Sequence, residues 1–432
     1  MHPLKNIDRR NFISVSGAAV AAGALSNTSA FTFAGGRHHG VNDTLKVGLV
    51  GCGGRGTGAL VNAAKADSNI EIAGLADAFG DQVESCLATL QNNELTAAKL
   101  KVDQDRRFTG FDCCEQLLKT DVDVVLLASP PHFRPAQLQA CIDAGKHVFA
   151  EKPVAVDVPG CKKVLDACRQ AQQKGLSVVS GLCWRYDWKV KEMIKRIQDG
   201  AIGEIRAIQE NYLTGTLWHR GDKPEWSRME YQMRNWLYYN WLSADHIAEQ
   251  HIHSLDKALW LMGDQLPKSC YGSGGRLVRT DPMWGNVYDH FSCVFEWEDS
   301  DIKVFTHCRQ MAGCFNETED HIIGANGTAE ILRGLIRNEN GLERVRTPGG
   351  LPGMYDAEHI ELFKSIRSGV PINNGEYMTY STLMALMGRD ACYTGKKITI
   401  DAYLDDETVL GPESYDWFDY EPDPVAKPGS QF

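Results

Sequence analysis

Residues 46–77 read KVGLVGCGGRGTGALVNAAKADSNIEIAGLAD and decide how the chain folds. The apolar run 47–50 predicts a buried strand, and the small apolar residues after the glycines predict a helix. The apolar segment 70–75 predicts a second strand that ends on Asp77. Between the first strand and the helix, three glycines have G-x-G-x-x-G spacing: Gly51, Gly53 and Gly56. This order of elements predicts a βαβ unit of parallel sheet.

Each glycine of this unit has a separate physical role. Gly51 permits the tight turn out of the strand, Gly53 lets the backbone approach a pyrophosphate, and Gly56 allows close packing of helix on strand. The helix N-terminus then presents free N–H groups and a positive dipole end to phosphates. We therefore predict a dinucleotide site. The alternative is a glycine-rich turn in an α/β domain that binds no nucleotide.

The identity of the dinucleotide depends on the acid at the end of the second strand. Asp77 can accept hydrogen bonds from both ribose hydroxyls and repels a 2′-phosphate, which favours NAD over NADP. Arg55 lies in the glycine loop and leaves NADP open, because an arginine can pair with a 2′-phosphate.

The region after Asp77 continues the alternation of strands and helices. Residues 122–128 and 147–150 are apolar runs typical of strands buried on both faces. The first run leads into Ser129, Pro130 and His132, and the second leads into Glu151-Lys152-Pro153. Ligands bind beyond the carboxyl ends of such strands, so these residues are candidates for the same site. The pattern predicts a doubly wound parallel sheet over residues 45–182.

A second domain is predicted over residues 183–400, where the strands lengthen and partly alternate between apolar and polar residues. With turn signals between them, they indicate a C-terminal α+β domain with a mostly antiparallel sheet. A single helix is predicted from His246 to Met262, and residues 401–432 are predicted to form an extended tail. The fold class is therefore α/β, with an N-terminal Rossmann domain followed by an α+β domain.

Composition excludes some classes of protein. A net charge of −11 argues against nucleic acid as a partner, and 43% hydrophobic residues is ordinary for a globular protein. Many of the 13 cysteines stand in apolar runs, so we expect buried thiols rather than a disulfide framework.

The N-terminus carries the pattern of a twin-arginine export leader. Arg9-Arg10 is followed by Phe12 and by the mildly apolar segment 13–25, which is too short to span a membrane. Cleavage after Ala30 or Ala34 would release a folded protein, and we expect a leader over residues 1–34, export by the twin-arginine machinery and a periplasmic location. The alternative is a disordered arm with a chance pair of arginines.

Three motifs together resemble the Gfo/Idh/MocA oxidoreductases, a family of sugar and inositol dehydrogenases. They are the dinucleotide unit, Glu151-Lys152-Pro153 at a strand end, and EQHIHSLD at residues 249–256. The similarity extends over about residues 45–400, and the segment 381–396 resembles the exported branch of the family.

The resemblance implies a catalytic lysine at Lys152 and an acid and a base four residues apart at Glu249 and His253. The family usually has Asp at the first of these positions and often a glycine where this chain has His251. It also implies cofactor contacts by a larger set of residues: Gly51, Gly53, Gly54, Arg55, Gly56, Asp77, Ser129, Pro130, His132, Glu151, Lys152, Trp184 and Arg185.

Several of these candidates have structural alternatives. His132 can be an ordinary turn residue, and Trp184 and Arg185 can serve interdomain packing. A metal shared by His246, Glu249, His251 and His253 is not expected, because residues 251 and 253 point to different helix faces. An aromatic group can stack on sugars or simply pack in the core: Trp218, Trp226, Trp236, Tyr238, Tyr239 and Trp241.

We therefore expect hydride transfer between a sugar, polyol or glycoside carbon and a tightly bound nicotinamide cofactor, in a protein that forms homo-oligomers. The alternatives are an NAD-dependent glycosidase or lyase that oxidises its substrate transiently before elimination, and a sugar or nucleotide sensor without activity.

Overall fold

The computed structural model describes residues 43–298 and 300–429, so the predicted leader lies outside the described residues. The first domain is a six-stranded sheet in which every pair of neighbours is parallel, in the order β3-β2-β1-β4-β5-β6. Its strands are β1 (Leu45–Val50), β2 (Ile70–Asp77), β3 (Arg107–Thr109), β4 (Val124–Leu127), β5 (His147–Ala150) and β6 (Val178–Ser180). This confirms the predicted Rossmann sheet.

Helices cover both faces of this sheet and bury its apolar strands. They are α1 (Gly54–Ala66), α2 (Gly80–Gln91), α3 (Glu94–Ala97), α4 (Cys113–Leu118), α5 (Arg134–Asp143) and α6 (Val158–Gln173). Helix α3 is a single short turn that ends at Ala97. From β1 the chain proceeds to β2 and β3 on one side, and it then returns to place β4 on the other side of β1. At such a reversal of strand order, the carboxyl ends of the strands form the crevice where nucleotides bind.

The second domain is built on a nine-stranded sheet in the order β14-β13-β12-β11-β7-β10-β9-β8-β15. All its pairs are antiparallel except β7 with β10, which confirms the mostly antiparallel prediction. The strands are β7 (Ile205–Thr214), β8 (Ser269–Gly275), β9 (His290–Glu296), β10 (Lys303–Gln310), β11 (Glu317–Gly324), β12 (Gly327–Glu330), β13 (Leu335–Asn338), β14 (Gly341–Arg344) and β15 (Ile398–Thr399).

Two helices of the second domain, which begin at Ile252 and Gly375, pack on this sheet. The helices of this domain are α7 (Trp188–Gln198), α8 (Arg228–Arg234), α9 (Asn240–Ser243), α10 (His246–Glu249), α11 (Ile252–Leu261), α12 (Met354–Ser368), α13 (Gly375–Thr394) and α14 (Ile400–Leu404). Helix α12 instead packs against α1 of the first domain, and α13 reaches α6, so the two domains share buried surface.

The single helix predicted from His246 to Met262 is wrong, because the structure divides it into α10 and α11. The amides of Gln250 and His251 both donate to the carbonyl of His246, at 2.9 and 3.1 Å, which widens the turn between the two helices. Just before α10, Ala244 and Asp245 adopt positive φ angles of 63° and 67°. This irregular backbone carries the candidate catalytic residues.

Twelve of the thirteen cysteines are buried free thiols and Cys314 is exposed, as expected for small apolar residues. No helix in the described part of the chain is both long and apolar enough to cross a membrane.

Candidate active site

The glycine loop between β1 and α1 has the geometry that a pyrophosphate requires. Gly51 has φ +97°, and a Cβ there would lie 2.5 Å from the backbone of Ala128. A Cβ on Gly56 would overlap the Gly51 carbonyl oxygen, so helix and strand can only approach through glycine. At Gly53 and Gly54, by contrast, no described atom lies within 4 Å of the Cβ position, so the approach to the N-terminus of α1 is open. The residues present therefore fit a dinucleotide.

Asp77 stands at the end of β2, facing the glycine loop. Its carboxylate accepts hydrogen bonds from the amides of Cys52, at 2.7 Å, and Phe79, at 2.9 Å. Burial raises the pKa of this carboxyl above its usual range, while the two amide bonds oppose that rise. Asp77 is thus fixed beside the loop, where the ribose contact was predicted.

Arg55 is directed toward Glu151 and Glu358 rather than toward Asp77. Its guanidinium contacts Glu151 and donates to Glu358 at 2.8 Å, and it lies over the ring of Tyr355, 4.8 Å from the centroid. These contacts engage the side chain that was weighed as a partner for a 2′-phosphate, which favours NAD. Burial and the neighbouring Glu151 raise the pKa of Glu358 well above its ordinary value.

The loop after β4 is held by a residue that sequence reasoning missed. Buried Arg134 donates to the carbonyl of Ser129 at 2.6 Å and also contacts the carbonyl of Pro153, so it joins the loops that follow β4 and β5. Pro130 and His132 follow Ser129 in this loop. Burial lowers the pKa of His132 to about 4, so its imidazole is neutral at neutral pH.

Lys152 and Glu249 meet across the domain boundary. The ammonium of Lys152 lies 2.8 Å from Oε1 of Glu249 and also contacts the Glu249 carbonyl oxygen. Glu151, immediately before Lys152, is buried against Gly181, where a Cβ would lie 2.7 Å from its carboxylate. The Lys152–Pro153 peptide bond is cis.

His253, on the first turn of α11, belongs to the same group of side chains. Its Nδ1 atom is buried without a hydrogen-bond partner among the described residues, although the side chain as a whole keeps some exposure. Burial, followed by the charges of Lys152, Lys257 and Arg55, lowers the pKa of His253 well below 6.5. The imidazole is therefore held in its neutral, basic form beside a cation.

Trp184 and Arg185 lie at the domain junction. Arg185 is buried, its Nε donates to Asp256 at 3.0 Å, and its Nη2 donates to Asp264 at 2.6 Å. Its guanidinium also stacks on Tyr377, 4.1 Å from the ring centroid. These contacts favour interdomain packing for Arg185, and a cofactor contact stays a prediction.

The aromatic group divides between core and surface. Tyr238, Tyr239 and Trp241 are buried in a separate hydrophobic cluster, whereas Trp218 is 38% exposed. Packing thus accounts for the buried three. Across residues 43–298 and 300–429, no group of three or more His, Cys, Asp or Glu side chains is arranged to hold a metal ion.

Within the predicted extended tail lies the C-terminal strap, which we define as residues 405–429; its packing on the first domain was not predicted. Tyr415 is joined to Nε2 of His132 by a 2.6 Å hydrogen bond, and its ring stacks on Phe111 at 5.7 Å between centroids. Trp417 contacts Phe79 and Phe111, at 5.2 and 4.6 Å. Because these partners follow β2, β3 and β4, the strap covers the carboxyl edge of the parallel sheet.

Fold and site together define the class of protein: an oxidoreductase with an NAD-binding Rossmann domain and a C-terminal α+β domain. Residues 45–179 match the model described as "Oxidoreductase family, NAD-binding Rossmann fold", and residues 190–330 match the model of the GFO/IDH/MocA C-terminal domain. The chain belongs to the GFO/IDH/MocA family, as its motifs suggested.

Two curated relatives differ in the chemistry that their names describe. Inositol 2-dehydrogenase 3 of Saccharopolyspora erythraea is 24% identical over 67% of this chain and 73% of its own length. The 2,7-anhydro-N-acetylneuraminate hydratase of Escherichia coli is 27% identical over 48% of this chain and 50% of its own length. The match thus spans only half the length of the hydratase.

Solved structures share the architecture. Scyllo-inositol dehydrogenase from Lactobacillus casei, solved with bound NAD(H) and scyllo-inositol, is 20% identical and has a TM-score of 0.61. The superposition covers 83% of this chain and 99% of that one. At this level of identity, the similarity establishes the fold.

Proposed function

We propose that this protein transfers hydride between a carbon of a sugar, polyol or glycoside and a tightly bound NAD. The observation that carries the proposal is the convergence of Lys152, Glu249 and His253 at the carboxyl edge of the parallel sheet, beside a glycine loop open to a dinucleotide. The inositol dehydrogenase relative supports a polyhydroxylated substrate.

The three side chains have complementary roles in this reaction. His253, held neutral, takes the proton of the substrate hydroxyl through Nε2, since Nδ1 is buried. Lys152 donates a hydrogen bond to the same oxygen and stabilises its developing negative charge. Glu249 holds the ammonium of Lys152 in place through their 2.8 Å contact. NAD supplies the hydride acceptor, and the chain supplies orientation and proton transfer.

The strap supports tight retention of the cofactor. Tyr415 and Trp417 pack over Phe79, Phe111 and His132, which follow the strands whose ends would hold the dinucleotide. The strap continues along the second domain, where the carbonyl of Asp423 accepts from Asn286 at 2.9 Å and that of Ala426 accepts from the Tyr288 hydroxyl at 2.9 Å. A dinucleotide beneath it would have to wait for these contacts to open.

A second candidate function is an NAD-dependent glycosidase or lyase. The hydratase relative favours it, because a hydratase has no net redox change yet matches a chain with an NAD-binding domain. Oxidation of one sugar carbon acidifies the neighbouring C–H, so the glycosidic oxygen can leave by elimination. In a glycosidase, water then adds to the resulting double bond before the ring carbon is reduced again. His253 would take the proton of the hydroxyl group on the carbon that is oxidised, and Lys152 would donate a hydrogen bond to its oxygen, as in the dehydrogenase.

One experiment separates the candidates. The purified protein is analysed for co-purified NAD(H) and incubated with a panel of inositols, aldoses and glycosides, with and without added NAD. Net NADH formation supports the dehydrogenase, and glycoside cleavage without net NADH supports the recycling enzyme. Bound NAD with neither activity over the whole panel would indicate a sensor. A Lys152→Ala protein with full activity would reject the site.

We also propose that the protein is exported to the periplasm by the twin-arginine machinery. Arg9-Arg10 and the apolar segment 13–25 that follows them support this proposal. Fractionation of cells producing the full chain and an Arg9→Lys/Arg10→Lys variant tests this: only the parent chain should reach the periplasm.

Homo-oligomers are a further part of the proposal. Tyr271, Phe305 and Ile323 expose apolar side chains on the second-domain sheet, at 40–45% exposure. Light scattering of the purified protein should give a mass above that of one chain, 47.9 kDa.

A further inference from the structure

A buried charged cluster lies beneath the helix that carries His253. Glu210 on β7 and Asp320 on β11 are register partners on neighbouring strands, and both are buried to 1% exposure or less. Lys257 on α11 is equally buried, and its ammonium lies 3.1 Å from the Asp320 carboxylate. A lysine and two carboxyls are rarely enclosed in this way unless they are paired.

The lysine also touches the backbone of the candidate base. Its ammonium donates to the carbonyl oxygen of His253 at 2.8 Å, and Trp184 covers it with a ring whose centroid is 5.4 Å away. Lys257 therefore joins the first turn of α11 to the sheet below. Asp256, the adjacent residue, joins the same helix to Arg185 and to Ser381, whose hydroxyl donates at 2.8 Å. Charged groups anchor the helix in two directions.

We propose that Lys257, held by Asp320, is a positioning residue that fixes the first turn of α11 and, with it, the orientation of His253. This inference rests on the proposed function for its kinetic consequence, but the effect on the imidazole is independent of any substrate.

The charges around His253 make its titration a readout of this role. Lys152 approaches from the loop after β5, Arg55 from the glycine loop, and Lys257 from within α11, and all three oppose protonation of the ring. The carboxylates of this site are engaged by the same cations: Glu249 by Lys152, and Glu151 and Glu358 by Arg55. Asp320, 3.1 Å from the ammonium, compensates the charge of Lys257, which stabilises an ammonium in this buried position.

Glu210 is the neutral member of the cluster. Burial and the neighbouring charge of Asp320 raise its pKa well above the ordinary value, and neither of its carboxyl oxygens has a hydrogen-bond partner among the described side chains. The raised pKa favours the protonated form of Glu210, and Asp320 is the ion-pair partner of Lys257. Glu210→Gln preserves this charge state and should leave the titration of His253 unchanged.

Two variants test the proposal. Lys257→Met removes the cation and leaves Asp320 buried without a partner, which can cost the fold. The double variant Lys257→Met/Asp320→Asn removes the pair together and restores stability. In both, the loss of Lys257 should raise the pKa of His253. Turnover should fall about 10- to 100-fold, with bound NAD per chain unchanged.

The first readout is NMR titration of the histidine rings in the NAD-loaded protein, with the His253 signal assigned from a His253→Gln sample. We expect the ring in both Lys257 variants to titrate at a higher pH than the wild-type ring, because one of the charges that lower its pKa has been removed. The matched control is Lys146→Met, since Lys146 also donates to a backbone carbonyl, that of Val122, but at the amino edge of the first sheet.

A folded double variant with wild-type His253 titration and turnover would overturn the proposal, whatever happens to Lys257→Met alone. If only stability changes, Lys257 is structural. If the wild-type protein turns over nothing in the substrate panel, the proposed function fails, whereas the shift in the His253 titration still decides the role of Lys257.

Discussion

The ammonium of Lys152 and the carboxylate of Glu249 lie 2.8 Å apart, although one follows a strand of the first domain and the other ends a helix of the second. Neither side chain is more than 15% exposed, so solvent screens the pair only in part. The geometry of the lysine thus depends on how the two domains pack.

Removing the charge of Glu249 should therefore impair turnover more than cofactor binding. In Glu249→Gln, Lys152 keeps its contact to the backbone carbonyl but loses its counter-charge, and we expect kcat to fall about 10-fold or more. The kcat of Glu249→Asp should lie between those of the wild type and Glu249→Gln, since this variant keeps the charge on a shorter side chain. The measurement is kcat alongside bound NAD per chain. Glu230→Gln, which disrupts a pair with Arg234 elsewhere in the second domain, serves as control and should have no effect.

His253→Gln should remove the base while leaving the fold intact. Loss of a general base costs about 10²- to 10⁴-fold in rate, so kcat should fall by that factor with little change in bound NAD. Because the pKa of His253 is lowered from 6.5, the wild-type enzyme should keep its activity as the pH falls through 6.5. A pH–rate profile whose acid limb has its midpoint at or above pH 6.5 would contradict this assignment.

Shortening Trp417 should release the cofactor faster. In Trp417→Ala the ring contacts to Phe79 and Phe111 disappear, so the strap loses part of its attachment to the edge of the sheet. We expect less NAD to remain bound after repeated desalting, with kcat in saturating NAD close to wild type. Phe315→Ala is the matched control, because Phe315 is an aromatic residue with 70% exposure. Equal retention in both variants would show that the strap does not hold the cofactor.

The first domain could be predicted from sequence because its signals are local. Apolar runs buried on both faces and a glycine loop with fixed spacing identify each strand end, and those ends bring Gly53, Asp77, Ser129 and Lys152 to one edge of the sheet. The second domain follows weaker patterns. The elements not predicted there are strands β13, β14 and β15 and helices α7, α8, α9 and α14.

The missing parts of the site depend on long-range contacts. Arg134, Tyr415 and Lys257 carry no motif, and each has a partner distant in sequence: Pro153, His132 and Asp320, respectively. The break between α10 and α11 escaped for a related reason, since residues 246–262 have a continuous helical pattern. The structure shows the departure in the positive φ angles of Ala244 and Asp245 before α10, and in the two amides that donate to the His246 carbonyl where α10 ends.

His359 should make the folded protein less stable in acid. The ring is fully buried against Phe149, its Nδ1 is 2.9 Å from the carbonyl of Tyr355, and burial lowers its pKa from 6.5 to about 4. Between those two values the unfolded chain binds a proton that the folded chain does not, so stability is lost as the pH falls from 6.5 toward 4. At about 1.4 kcal/mol for each unit of pKa, the loss reaches about 3 kcal/mol.

In His359→Gln, this part of the pH dependence disappears. We expect the variant to be less stable at pH 7 but to lose less on acidification, so the two curves of unfolding free energy against pH approach each other below pH 6.5. Urea denaturation at a series of pH values measures both curves. His290, which is partly exposed beside Asp289, provides the control substitution His290→Gln. Parallel curves for wild type and His359→Gln would show that the ring binds its proton at the same pH in the folded and unfolded chains. Burial would then not lower the pKa of His359.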